Sequence, residues 1–336
     1  MSLRLQVSLN GARGAVDGAA VPLSPGDLVE SALGAVAAGA AEVLVHPRTP
    51  CGRESLSPRV VGPLLEALRG AGVSVPLSVC ASTAAEPDPA GRLERVRLWK
   101  VLPDRAAVHF AEPGAAELAR ELLARGVAVD AVVGAGRCWV PAVPGDRAAG
   151  GASGTAGAAV AAGLCGAAGA GAGAGADAHA GAGADAHAGA GGGVGAGTGV
   201  GPLARFFATL GPELAGAAQV RPAVELAAVP AAGPAAVAGL VDAVCRPAVG
   251  PVLVCGREAA AWPVLRLAVR CGADARIGLG DVLRLPDGRP AGSNAALVAA
   301  AHEAAGDAEA AGTGTAGLRG GGCRGGAGSG ATAGSP

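Results

Sequence analysis

Residues 42–56 read EVLVHPRTPCGRESL. The short apolar run Val43-Leu44-Val45 ends at His46, and Arg48 and Arg53 follow among proline and glycine. A buried strand that empties polar side chains into a loop has this pattern. Where strands and helices alternate around a barrel, chemistry sits at the C-terminal ends of the strands. Residues 275–288, ARIGLGDVLRLPDG, repeat the pattern near the other end of the chain. Function turns on whether these two strand ends face one pocket.

Outward from residues 42–56 the same rhythm recurs. Upstream, Leu3 to Leu9 alternates as a strand and Asn10-Gly11 breaks it. Ser24-Pro25-Gly26-Asp27 then predicts a helix start: Ser24 caps, Pro25 suits the first helical position, and Asp27 favours the positive end of the dipole. Leu28, Ala32 and Val36 share a face, and Gly39 ends the helix. Downstream, Ser57-Pro58 opens a helix striped by Val60, Val61, Leu64, Leu65 and Leu68, with a kink expected at Pro63. Strands are predicted at Pro76–Cys80, Ala106–Phe110 and Val127–Val133, separated by helices from Pro89 and after Gly114. From Pro202 a helix is predicted by Leu203, Phe206, Phe207 and Leu210 at helical spacing, and beyond it come strands at Ala223–Ala227, Val252–Val254 and Ala275–Leu279, with helices at Ala235–Val244 and Glu258–Arg270 between them and a final helix capped by Ser293. About eight strands separated by helices predict an α/β fold, a (β/α)₈ TIM barrel, with a doubly wound sheet as the alternative.

Between about 144 and 201 the rhythm stops. This segment is almost all Ala and Gly and carries the unit GADAHAGA twice, at 175–182 and 183–190. It has too little large apolar surface to offset the cost of ordering, so it is expected to be a disordered, dispensable insertion. Asp177, His179, Asp185 and His187 are explained by the duplicated unit rather than by metal binding. The expected organisation is 1–143 for the first part of the barrel, 144–201 for the insertion, 202–304 for the second part and 305–336 for a disordered tail.

Composition narrows the function. The 336 residues carry a net charge of -1, which argues against nucleic-acid or membrane-surface binding driven by charge. No apolar run is long enough to span a bilayer, and the N-terminus does not read as a signal peptide. Eight cysteines without a C-x-x-C pair point to reduced thiols and a cytoplasmic setting. Among candidate groups, His46 ends a strand beside Arg48, and Arg276 and Asp281 are either an ion pair closing the barrel or a functional pair. Ser82 and Thr83 either bind a carbonyl or carboxylate or cap the next helix. Glu112 and Glu225 are single carboxylates near strand ends, and Cys255 reads as a buried structural thiol.

Four blocks, AAEVLVHPRTPCGRESL, LWKVLPDRAAVHFAEPGA, AWPVLRLAVRCGADARIGLGDVLRLPDG and SNAALVAAA, together resemble the β-keto acid cleavage enzymes, which include the 3-keto-5-aminohexanoate cleavage enzyme. The resemblance runs from about residue 3 to 302, interrupted by the Ala/Gly segment. It implies a TIM barrel with a catalytic zinc that transfers an acyl group between a β-keto acid and acetyl-CoA, giving acetoacetate and a new CoA ester. It also implies small-molecule partners, a β-keto acid and a CoA thioester, and assembly with copies of itself. The family's H-x-H-x-R motif stands here as Leu44-Val45-His46-Pro47-Arg48, and its R-x-G-x-E-D motif as Arg276-Ile277-Gly278-Leu279-Gly280-Asp281. His46 is then a metal ligand, while the ligand positions at Leu44 and Gly280 lack donors, so the family activity is expected to be impaired; the alternative is a non-catalytic homologue that keeps the barrel for ligand binding or assembly. Arg276 and Asp281 match the residues that orient and deprotonate substrate, Ser82 matches a substrate contact, and Arg48 is placed with it. Ala107 and His109 stand where S-V-N is common, and Cys255 where H-G is usual. Cys255 and Asp281 are the side chains expected to supply missing donors if any do. Leu44→His with Gly280→Glu is expected to restore zinc, unless Gly280 has taken a positive φ.

Overall fold

The computed structural model of the chain describes residues 3–18, 20–135, 219–226 and 250–313. Its strands are β1 (Leu5–Ser8), β2 (Glu42–Val45), β3 (Leu77–Cys80), β4 (Arg105–His109), β5 (Ala128–Ala135), β6 (Val220–Leu226), β7 (Leu253–Gly256) and β8 (Asp274–Ile277). They pair in sequence order into a closed barrel, and β8 returns to β1 in parallel. This is the (β/α)₈ barrel expected from the alternation; closure excludes the doubly wound sheet. β5 and β6 pair from Val129↔Val220 to Ala135↔Leu226 although the long Ala/Gly segment separates them in sequence. That segment, and the helices expected from Pro202 and at Ala235–Val244, lie outside the described residues, as does the tail from 314.

Local chemistry explains the helices. α1 (Pro25–Ala37) starts on a capping box in which the Asp27 N–H donates to Ser24 Oγ and the Ser24 N–H to Asp27 Oδ2, both at 3.1 Å. α2 (Pro58–Gly70) buries Val61, Leu64, Leu65 and Leu68. α3 (Pro89–Arg97) is capped by Asp88, and α4 (Ala115–Ala124) follows Gly114. α5 (Ala261–Cys271) follows a short 3₁₀ turn at Glu258–Ala260. α6 (Asn294–Thr313) has its Ala296 N–H on Ser293 Oγ at 3.1 Å, and it runs past Gly306. Among the described residues no helix is long and apolar enough to cross a membrane.

Side chains alternate between the two faces of each strand. On β2, Val43 and Val45 pack outward into the shell beneath the helices, while Glu42, Leu44 and His46 point to the barrel axis. The interior is stacked in layers. At the N-terminal end a buried charge layer joins Arg221 to Glu42, Asp130 and Asp274. Above it lies an apolar layer of Leu44, Cys80, Ala107, Val132, Ala223 and Leu253. The C-terminal mouth above that holds the candidate site.

Candidate functional site

The two strand ends quoted at the outset do face one pocket. A cavity of about 20 Å³ at the barrel mouth touches His46 and Leu44 from β2, and Arg276, Gly280 and Asp281 from β8. Ser8, Cys80, His109, Glu225 and Arg257 complete its polar wall. A space of that size holds about one water molecule.

Charge in the mouth is matched internally. The Arg276 guanidinium donates to Asp281 at 2.8 and 3.2 Å and to Glu225 at 2.8 Å. Arg257 donates to Glu225 and to the Gly280 carbonyl, each at 3.3 Å. Burial raises the Glu225 carboxyl, but Arg276 and Arg257 more than offset it and hold it down at about 2. His46 is pushed the other way for a base: burial, with Arg276, Arg257 and Arg48 nearby, takes it down to about 3, so the ring is neutral. Its backbone is clamped by Asn10, whose amide bonds the His46 N–H and C=O at 3.0 Å each. Its Nδ1 is buried without a hydrogen-bond partner. Burial raises the Cys80 thiol to about 12, and burial lowers His109. Cys80 Sγ and His109 Nε2 stand 3.8 Å apart.

Other expected residues are employed elsewhere. Arg48 donates to the Gly52 carbonyl at 2.7 Å and the Gly11 carbonyl at 2.8 Å and pairs with Glu54, so it braces loops outside the cavity lining. Ser82 is buried, its carbonyl accepts the Ala85 and Glu86 N–H groups of a turn, and its side chain hydrogen-bonds Cys80 rather than lining the cavity itself. Thr83 donates its N–H and hydroxyl to Glu112, at 2.9 and 2.8 Å, and it is Asp88 that caps the next helix. The Cys255 thiol faces the Val224 carbonyl at 3.5 Å, and burial raises it. Arg257 escaped the sequence analysis, though it lies two residues past Cys255 and so on the same inward face.

A zinc where the resemblance places it needs donors at 44, 46 and 280. Leu44 belongs to the apolar layer and is 2% exposed. Gly280 does not take a positive φ; the obstacle there is space. A Cβ on Gly280 would stand 2.3 Å from Ser8 Oγ, 2.7 Å from Gly11 N and 2.9 Å from Gly11 Cα. Backbone fills the third position and a leucine the first, so the residues present do not fit zinc there. The expected substitutes are tied down: Asp281 has both oxygens on Arg276, and Cys255 faces Val224.

Comparison with known proteins places this site in a lineage. No curated protein matches the chain. Among solved structures, the Escherichia coli homocysteine methyltransferase MmuM in its apo form is 15% identical at a TM-score of 0.48, over 90% of this chain and 96% of its own. The Amycolatopsis orientalis BexX/CysO complex is 16% identical at 0.44, over 91% of this chain and 89% of that one. Both are too distant to bear on chemistry. The model of the β-keto acid cleavage enzymes, by contrast, matches residues 3–129 and 203–319 and leaves out the Ala/Gly segment between them. The chain belongs to the β-keto acid cleavage enzyme family.

Proposed function

We propose that this family member has lost zinc-dependent cleavage at the family's metal position and keeps the barrel mouth as a binding site for a small carboxylate. The supporting observation is the filling of that position by the Leu44 side chain and by Gly11 backbone pressed on Gly280. Without a Lewis acid at the β-keto group, the carbon–carbon bond lacks the polarisation that makes it breakable. Asp281 is also poorly placed as a base: it is 1% exposed and both oxygens are held by Arg276. Arg257 is the cation best placed to meet a carboxylate at the solvent-facing rim of the mouth, outside the inner cavity that holds about one water, because its two bonds are long and its side chain is 32% exposed. Ancestry favours acyl transfer between a β-keto acid and acetyl-CoA as the original reaction, with 3-keto-5-aminohexanoate the first substrate to try. Assembly with copies of the chain belongs to the same proposal.

The test is acetoacetate release from β-keto acids with acetyl-CoA, beside calorimetric binding of acetoacetate. Release at the buffer rate, with acetoacetate binding that weakens in Arg257→Gln, is expected. Rapid turnover by the unmodified chain would overturn the proposal.

A further inference from the structure

The loop after β1 is fastened across the mouth by one side chain. Between Gly11 and Gly18, whose φ angles are 55° and 141°, every apolar side chain is exposed, and Val16 at the tip stands in solvent. A segment that buries no apolar surface opens locally at little cost. Arg13 holds it down: Nε donates to the Leu279 carbonyl at 3.2 Å, Nη2 pairs with Glu258, and Nη1 stands 3.6 Å from Asp17. Arg13 thus reaches from the loop after β1 past the end of β8 to the loop after β7. The sector it crosses is where Gly11, Gly280 and Asp281 line the cavity. Among the described residues Glu258 is the one non-glycine with a positive φ, 51°, a left-handed conformation that side chains rarely adopt. Such outliers gather at clamps and switches. Its N–H donates to the Asp281 carbonyl at 2.9 Å, so the turn that presents Glu258 to Arg13 is itself tied to the cavity wall.

We propose that residues 12–18 form a lid on the barrel mouth and that the Arg13–Glu258 pair is its latch. Gly11 and Gly18 are the hinges. Gly11 stays with the barrel, because Arg48 donates to its carbonyl at 2.8 Å and its backbone packs on Gly280. The residues beyond it swing once Arg13 lets go. Release is easy because the Glu258 side chain is 59% exposed: water takes the place of Arg13, and an ion pair with an exposed partner is weak. Closed, the mouth leaves the cavity room for about one water. Opening is then the route by which anything larger reaches Cys80, His46 and His109. The lid governs access to the cavity and not what Arg257 binds, so it stands independently of the carboxylate-binding proposal.

Cys80 reports opening, because it is buried and lines the cavity. Cys255 is the control: it is as deeply buried but faces the Val224 carbonyl and does not line the cavity. The full chain is treated with methyl methanethiosulfonate, and modification of each cysteine is timed by peptide mass spectrometry, with exposed Cys51 as the internal clock. Glu258→Gly suits the positive φ and keeps the backbone bond to Asp281, so it removes only the carboxylate. Arg13→Gln removes the other half of the latch. Each is expected to speed Cys80 modification about two- to fivefold, the size of an ion pair with one exposed partner, and to leave Cys255 unchanged. The double variant should gain no more than either, since both break the same contact. Raising the ionic strength from about 0.05 to 0.5 M should speed Cys80 in the unmodified chain and do nothing further in Glu258→Gly. Circular dichroism checks that each variant is folded; if Glu258→Gly is not, Arg13→Gln and the salt series decide. An unchanged Cys80 rate in either folded variant would overturn the proposal. So would a Cys255 rate that rises in step with Cys80, because the whole barrel would then be loosening. Acetoacetate takes no part in the measurement, so the failure of either proposal is visible without the other.

Discussion

Two residues in the mouth behave differently from what their sequence neighbours suggest. Gly280 reads as the loss of a ligand, but it is also a packing requirement, since a Cβ there meets Gly11 backbone at 2.7 Å. Ser8 Oγ at 2.3 Å can rotate away; the Gly11 backbone cannot. Gly280→Ala is expected to cost about 1–3 kcal/mol in urea unfolding, with Ser8→Ala recovering only part of it. An unchanged midpoint would show that the loop after β1 yields freely. The same crowding means that Leu44→His with Gly280→Glu destabilises the barrel instead of restoring zinc, for a steric reason and not through φ. His46 gives a pH signature. Its folded pKa, about 3, lies below the usual histidine value, so between pH 6.5 and 3 the unfolded chain holds a proton that the folded chain lacks. Stability therefore falls as pH drops through that window. Glu225 adds a loss only below the ordinary carboxylate range, toward about 2. In the interval from pH 6.5 to about 4.5, with chelator present, His46→Gln should flatten the pH dependence of unfolding, leaving the contribution of His109, which burial also lowers. An identical slope in the variant would place the proton uptake elsewhere.

At the scale of elements, strands were legible because their physics is local. Val43-Leu44-Val45, Leu77–Cys80 and Arg105–His109 lie within a residue or so of where alternation and flanking turns put them. Ser24 and Ser293 announced their helices through capping chemistry that needs only neighbours in sequence. The site was legible only in part. Their positions at strand ends brought His46, Glu225, Arg276 and Asp281 to the mouth, but which cation meets which carboxylate depends on the closed barrel. The Cys80–His109 contact joins residues 29 apart in sequence, and no pattern in either strand marks it. Pro63 is instructive. It sits inside α2, which continues from Pro58 to Gly70 and is anchored on either side of Pro63 by Val61 and by Leu64, Leu65 and Leu68. Tertiary packing here overrides a local penalty of about 3 kcal/mol. Pro63 is exposed and its ring supports no burial. Pro63→Ala should therefore raise stability by about 1–3 kcal/mol, net of the freedom regained by the unfolded chain. Thermal unfolding decides; a lowered midpoint would mean that the proline is shaping the helix for its neighbours.

For the molecule as a whole, closure depends on the layer at the opposite end from the site. Arg221 on β6 donates to Glu42 on β2 at 2.6 and 3.0 Å, to Asp130 on β5 at 2.9 and 3.1 Å, and to Asp274 on β8 at 3.2 Å. Arg105 on β4 adds two bonds to Asp130, at 2.6 and 2.9 Å, and Gln6 on β1 reaches Glu42 and Asp130. One guanidinium thus ties three strands to a fourth that enters the barrel only after the long Ala/Gly segment. Burial raises Asp274, whereas Asp130 is held low: burial opposes this, but Arg221 and Arg105 prevail. Removing the cation leaves three buried carboxylates with too little positive charge, and breaking a buried pair in this way costs about 3–5 kcal/mol. Arg221→Met keeps most of the volume and removes only the charge and its donors, so it isolates the electrostatic part. In the variant the carboxylates gain protons more readily folded than unfolded, so the loss should be largest at neutral pH and shrink as pH falls toward 5. Urea unfolding of both proteins at pH 7 and pH 5 measures this. An equal loss at the two pH values would assign Arg221 a packing role; a loss under 1 kcal/mol would mean that Arg105 and Arg4, which donates to Glu42 at 3.3 Å, suffice to hold the layer. A loss that is large at pH 7 and smaller at pH 5 would mean that closure is secured by charges at the end opposite the mouth, so that substitutions in the mouth need not loosen the barrel.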